Sequence, residues 1–123
     1  EGKLIVKGNE IGYTIPFYHS YADLPFTAVM KELGAEIQWE SDAKALLIFK
    51  NRTYFLDINT MELFVENYKN DNLFHKITGG PTFIYYSNHE LFLDSGTMAS
   101  VLNLMGEKAK INCDMDRLAV TID

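Results

Sequence analysis

The sequence predicts an α+β fold with two pseudo-repeats, each a helix packed on antiparallel β-strands in the order β-hairpin, helix, β-hairpin. Two helical stripes of apolar residues, at 26–33 and 98–105, each end at a glycine and pass into apolar–polar alternation. The connections between the strand-like segments are short, which favours antiparallel pairing. Because a helix with one apolar stripe must bury it, we expect each helix to lie on its neighbouring strands.

The first half of the chain contains the clearer copy. Its expected elements, in order, are a hairpin with strands at 4–6 and 11–15, a loop at 17–23, a helix reaching 33, and strands at 35–40, 45–49 and 53–58. Gly8-Asn9 supplies the hairpin turn, and Pro16 ends its second strand. Asp23 is the expected helix N-cap, and Gly34 suits the left-handed position after the helix. Trp39 alternates with polar residues, so we expect it in the core.

The second half repeats this order with weaker signals. Its expected elements are strands at 82–86 and 91–93, a helix capped by Asp94 or Ser95 and ending at Gly106, and strands at 109–113 and 118–122. We therefore predict a single domain over 1–123, with an internal repeat of about 1–58 and 82–123. Residues 59–81 match neither copy and include the breaker Gly79-Gly80-Pro81, and we expect strands there rather than a long loop.

The run Leu24-Pro25-Phe26, followed by 29–40 with Gly34 and Trp39, resembles the stalk-type module called the copper amine oxidase N-terminal domain. The opening hairpin at 5–11 also resembles that family's first strand pair. The second copy departs from the pattern, since Cys113 replaces the tryptophan and Asp94-Ser95-Gly96 replaces the proline-containing entry.

The resemblance implies a non-catalytic module of secreted or cell-wall proteins from Gram-positive bacteria. It supplies no catalytic residue, and Thr27 stands where the family usually has an arginine. It does not imply copper chemistry, because the oxidase activity belongs to a separate domain with a quinone-forming tyrosine and three histidine ligands. Asn67-Tyr68 is followed by Lys69 rather than an acidic residue, and the chain has no His-x-His pair.

Composition sets further limits on the function. A net charge of −6 argues against binding to a phosphate backbone, so we expect no nucleic-acid partner. No apolar run approaches the length of a membrane span, so we expect no membrane insertion. The chain begins at Glu1 just before a strand-like segment, with no signal peptide in view. Because the resemblance implies a secreted or surface protein, we expect that its signal peptide was removed.

The chemistry-bearing residues favour structural roles. The three histidines, His19, His75 and His89, fall in predicted loops without metal-ligand spacing. Cys113 alternates with apolar neighbours, which indicates a buried core residue rather than a nucleophile. Glu36 and Glu40 would lie about 13 Å apart on a strand, too far for a glycosidase pair. We therefore predict no catalytic residue, no metal and no cofactor.

Aromatic residues form the most promising surface. Tyr13, Phe17, Tyr18, His19 and Tyr21 precede the first helix, and Tyr85 and Tyr86 share a later strand. Aromatic rings with polar handles suit sugars or protein partners, although Phe17 and some of the tyrosines could instead cover the end of the core. We expect a non-enzymatic spacer, or a binder of cell-wall glycan or of another surface protein. The alternative is an interaction or oligomerisation module with an exposed strand edge. A hydrolytic or metal-dependent enzyme is the remote alternative.

Overall fold

Strands dominate the fold of this protein, seen in a computed structural model that describes residues 2–67, 70–78 and 84–123. The strands are β1 (Gly2–Val6), β2 (Asn9–Ile15), β3 (Asp23–Pro25), β4 (Glu36–Trp39), β5 (Lys44–Phe49), β6 (Arg52–Asp57), β7 (Glu62–Val65), β8 (Ile84–Ser87), β9 (Glu90–Asp94), β10 (Ile111–Asp114) and β11 (Ala119–Ile122). The helices are α1 (Phe26–Glu32), α2 (Leu73–Thr78) and α3 (Ser95–Leu104). The α+β class is therefore confirmed.

The strands form three sheets, with the orders β10-β11-β1-β2, β3-β9-β8 and β4-β5-β6-β7. The last of these is an antiparallel meander, as the short turns predict. The first sheet contains one parallel pair, β1 with β11, which brings together the first and last strands of the chain. This pair lies outside the antiparallel arrangement that the sequence predicts.

The apolar stripes of α1 and α3 lie in the core, as the sequence predicts. Phe26, Val29 and Met30 of α1 are fully buried, and so are Met98, Val101 and Leu102 of α3. Both helices pack against β9, so the central strand of the three-stranded sheet holds the two helices together.

Both glycines expected after the helices have the predicted backbone. Gly34 has φ 102° and Gly106 has φ 86°, in the left-handed region that favours glycine. The first hairpin turn lies one residue earlier than predicted, since its left-handed pair is Lys7-Gly8 rather than Gly8-Asn9. The left-handed pairs Lys50-Asn51 and Asn88-His89 lie between strands as expected. Asp94 caps α3 by accepting a hydrogen bond from the Thr97 amide, also as predicted.

The N-cap prediction for α1 is wrong. Asp23 lies in β3, and Pro25 precedes the helix without a side-chain cap. The Glu90 carboxylate, from β9, instead accepts hydrogen bonds from the Thr27 amide, the Thr27 hydroxyl and the Ala28 amide. The start of α1 is therefore capped by a residue more than 60 positions away in sequence.

The core position predicted for Trp39 is also wrong, since 47% of its surface is exposed. β4 is an edge strand, and only Ile37 on it is half-buried. Alternation correctly indicates a strand at this position. The Trp39 side chain, however, lies beyond the part of the sheet that packs on the core.

Among the described residues of 59–81, the chain forms β7 and α2. β7 holds the alternating Leu63 and Val65, whereas α2 was not predicted. The Asn72 side chain joins them, since its Oδ1 accepts from the Leu63 amide at 3.0 Å and the Phe74 amide at 3.1 Å. Gly79-Gly80-Pro81 lies outside the described residues. In the part of the chain that the structure describes, no helix has the length and apolar character needed to cross a bilayer.

Candidate functional site

The loop before β3 is a tight turn that presents two tyrosines side by side. Phe17 and Ala22 form an isolated bridge, and the Tyr18 amide donates to the Tyr21 carbonyl at 2.8 Å. This closure places the Tyr18 and Tyr21 rings in a stack, with centroids 4.8 Å apart and planes inclined by 22°. Each ring remains about two-fifths exposed. The turn therefore offers an aromatic face to solvent.

Asp23 fixes this turn to the strand β8. Its carboxylate is buried, and its Oδ2 accepts a hydrogen bond from the Tyr85 hydroxyl at 2.8 Å. The Asp23 carboxylate, as a nearby hydrogen-bond acceptor, is also the main cause that raises the Tyr18 pKa. Burial, followed by the Asp23 hydrogen bond, raises the pKa of Tyr85. Asp23 therefore favours the neutral form of both phenols.

Tyr85 also connects this turn to the sheet below it. Its ring stacks on Phe92 at 5.4 Å with an inclination of 10°, and Tyr13 meets Phe92 edge-on at 6.1 Å. We call the set of Tyr13, Tyr18, Tyr21, Asp23, Tyr85 and Phe92 the tyrosine cluster. Four aromatic residues singled out from the sequence therefore come together.

The remaining three candidates lie elsewhere. Phe17 is half-buried against the core, with its ring beside Gly2. Tyr86 is 51% exposed, and strand alternation directs it to the opposite face of β8 from Tyr85. His19 is exposed within the turn.

An open groove of about 600 Å³ adjoins the tyrosine cluster through Tyr21. The turn, the start of α3 and β10 form its walls, which are lined by Ser20, Tyr21, Asp94, Ser95, Gly96, Ala99, Ile111 and Cys113. Ser95 fixes the turn to α3, because its amide donates to the Ala22 carbonyl at 2.8 Å. The groove therefore combines an aromatic edge with hydroxyl and carboxylate groups.

The other chemistry-bearing residues are spread over several elements of the described part of the chain. No group of three or more histidine, cysteine or acidic side chains there could hold a metal ion. Cys113 is half-buried at the groove wall rather than deep in the core, so the prediction of a buried core residue needs correction. His75 lies on α2 and His89 in the β8–β9 turn, and both are exposed.

Sequence reasoning missed the residues that organise the cluster. Asp23 and Phe92 join it from elements more than 60 residues apart, and neither carries a local signal of such a role. At the last turn, Asp114 Oδ1 accepts hydrogen bonds from the Asp116 and Arg117 amides at 3.1 Å, as a short carboxylate commonly does in a turn.

Comparison with known proteins finds no matching family, no matching curated protein and no matching solved structure.

Proposed function

We propose that this domain is a non-catalytic accessory module of the bacterial cell envelope that binds glycan through the tyrosine cluster. The observation that carries the proposal is the stacked Tyr18–Tyr21 pair, whose Tyr21 borders an open groove. Sugar rings have apolar C–H faces and polar edges, so they suit an aromatic surface beside hydroxyl and carboxylate groups. The net charge of −6 favours a neutral glycan over an anionic one.

Preorganisation supports this assignment. The backbone bond within the turn and the stacking contact hold the Tyr18 and Tyr21 rings together before any ligand arrives. Binding then costs less side-chain entropy than it would for free tyrosines. The resemblance to stalk-type modules supports a place in a secreted or cell-wall protein of a Gram-positive bacterium. Fractionation of the producing cell would test this, since recovery in the cytosol alone would contradict it.

We also propose that residues 1–58 and 82–123 are copies of one unit. In support, α1 and α3 each follow directly from a strand, β3 and β9, and these two strands pair with each other. Each helix ends before a left-handed glycine, and each is followed by a hairpin. An experimental structure in which the two segments fail to superpose would count against common descent of the halves.

A binding experiment tests the glycan assignment. Purified domain is mixed with insoluble peptidoglycan and cell-wall polysaccharide, and soluble fragments are titrated while amide shifts are recorded. We expect saturable shifts around Tyr18, Tyr21 and Tyr85. Tyr21→Ala should weaken binding about tenfold, since an aromatic contact contributes roughly 1.4 kcal/mol.

Tyr86→Ala is the matched control, because it removes another exposed tyrosine, which lies on the other face of β8 from Tyr85. Its binding should equal that of the parent protein. The absence of any retention or shift, or equal losses in both variants, would exclude glycan binding at the tyrosine cluster.

A second candidate is protein interaction through the edge strand β4. The exposed Trp39 on this edge favours it, since tryptophan is enriched in the centres of protein interfaces and unpaired edges accept further strands. Light scattering over a range of concentrations distinguishes this candidate. Self-association that Trp39→Ala abolishes would support it, and a concentration-independent monomer would exclude self-pairing.

A further inference from the structure

Another cavity lies between the meander sheet and the ends of α2 and α3. Its volume is about 230 Å³, and it is lined by Arg52, Tyr54, Val65, Asp71, Leu73, Lys76 and Leu104. None of these residues belongs to the tyrosine cluster or its groove. The cavity therefore requires its own explanation.

The Tyr54 hydroxyl is a buried polar group without a partner. Tyr54 is 1% exposed, and its hydroxyl forms no hydrogen bond in the part of the chain that the structure describes. A buried hydroxyl normally finds an acceptor, so such an exception calls for a ligand or a bound solvent molecule. Because the phenol is a donor at neutral pH, it suits an acceptor such as an anion.

Arg52 supplies a positive charge beside this hydroxyl. It stands two residues before Tyr54 on β6, so both side chains lie on the same face of the sheet. Its charge reaches the phenol, since it opposes the burial that raises the Tyr54 pKa. Among the described residues Arg52 forms no ion pair, and its guanidinium can donate two parallel hydrogen bonds to a carboxylate.

The other lining residues determine the net charge of the cavity and the character of its walls. Lys76 and Asp71 pair at 3.2 Å, and both are about half exposed, so they partly neutralise each other. Arg52 then leaves the cavity with a local charge of about +1 on a chain of net charge −6. Val65, Leu73 and Leu104 form apolar walls, which favour an anion with a hydrocarbon body.

We propose that this cavity binds a small organic carboxylate, with its carboxylate on Arg52 and the Tyr54 hydroxyl and its hydrocarbon part against the apolar walls. The cavity is large enough for a short-chain acid or one amino-acid side chain with a terminal carboxylate. The proposal is independent of glycan binding, since the two sites share no residue.

Sodium butyrate is the probe, titrated into isotope-labelled protein at constant ionic strength, with sodium phosphate and sodium chloride as parallel titrations. We expect saturable amide shifts for butyrate at β6, β7 and α2. Phosphate should bind more weakly because it lacks a hydrocarbon body. Saturation by phosphate without saturation by butyrate, or no saturation by either, would overturn the proposal.

Three variants test whether butyrate binds at Arg52 and Tyr54. Arg52→Gln, at an exposed position, should weaken butyrate binding at least tenfold, whereas Arg117→Gln alters the only other arginine of the chain and should leave binding unchanged. Tyr54→Phe should weaken butyrate binding while raising the melting temperature of the free protein, because it removes an unpaired buried hydroxyl. Equal affinity in Arg52→Gln and Arg117→Gln would refute the site.

Discussion

The buried carboxylate of Glu90 shows how one residue can support a distant helix at an electrostatic cost. It caps α1 through the Thr27 and Ala28 amides, yet it is only 4% exposed. Burial raises its pKa, and the hydrogen bonds from Thr27 and Ala28 partly oppose that effect. Its removal leaves two amides at the helix start without acceptors.

Glu90→Ala should therefore lower the free energy of unfolding by about 2 kcal/mol or more, since each unsatisfied buried donor costs roughly 1–3 kcal/mol. Denaturant unfolding followed by circular dichroism measures this. An exposed control, Glu66→Ala, should change stability by about 0.5 kcal/mol or less. A loss at Glu90 no larger than that of the control would contradict the capping role.

Titration of Glu90 should also make stability depend on pH. Because the pKa is raised in the folded state, the folded protein binds this proton more tightly than the unfolded chain does. The stability gained from this tighter proton binding is fully present below the ordinary glutamate pKa. It is lost as the pH rises through the raised pKa of Glu90 in the folded protein. The stability of the parent relative to Glu90→Gln should fall across that window. Glu66→Gln reports the effect of net charge alone, and a flat Glu90→Gln difference would argue against a raised pKa.

Trp39 provides a simple optical check on its environment, since it is the only tryptophan of the chain. With 47% of its surface exposed, its emission should lie near that of tryptophan in water, and acrylamide should quench it readily. Unfolding should shift the emission little. A blue-shifted, protected emission that moves on unfolding would instead place Trp39 in a core or an interface.

At the scale of elements, α1 and α3 each end shortly before a glycine with a left-handed backbone. Gly34 has φ 102°, and a Cβ added there would meet no atom within 4 Å. Any loss on substitution is therefore conformational rather than steric.

Gly34→Ala should lower the free energy of unfolding by about 1 kcal/mol, because alanine disfavours the left-handed region. Gly12→Ala is the matched control, since it also lies in open space but has no positive φ on its strand. It should be neutral or slightly stabilising. Thermal and denaturant unfolding compare the two, and equal effects would show that the backbone of Gly34 is not restrictive.

Elements with signals within a few residues of their ends were predictable from the sequence. Gly8, Gly34, Asp94 and Gly106 define a turn, a cap and two helix ends by their own chemistry. α2 carried such a signal too, since Asn72 precedes apolar residues at helical spacing, but the polar residues before it obscured the pattern.

Features that depend on distant partners could not be predicted. The cap of α1 comes from Glu90, and the anchor of Tyr85 is Asp23, and both pairs are separated by more than 60 residues. Alternation at Trp39 indicates a strand, but it does not show how far the core reaches across the sheet. The aromatic candidates could be selected from the sequence, whereas their assembly into one cluster required the fold.

At the scale of the whole molecule, the parallel pairing of β1 with β11 joins the first and last strands of the chain in one sheet. Val6 pairs with Ile122, and the Lys7 amide donates to the Ile122 carbonyl at 2.7 Å. Val120 and Ile122 are fully buried, so β11 contributes to the core as well as to the sheet.

Removal of residues 119–123 should therefore abolish cooperative unfolding, because it exposes the edge of β1 and empties two core positions. Removal of Asp123 alone is the milder comparison and should keep a cooperative transition. Calorimetry distinguishes them. A sharp transition in the shorter chain would show that β11 is dispensable for folding.

The parallel pair also determines how the domain would respond to tension. β1 starts and β11 finishes at opposite ends of their shared ladder, since Lys3 pairs with Ala119 and Val6 with Ile122. A pull on residues 2 and 123 would slide the two strands past each other and load all of their hydrogen bonds together, rather than opening them one at a time. Such a shear arrangement resists rupture at higher force than an unzipping one, so a load applied between these two residues would meet the sheet along its more resistant direction.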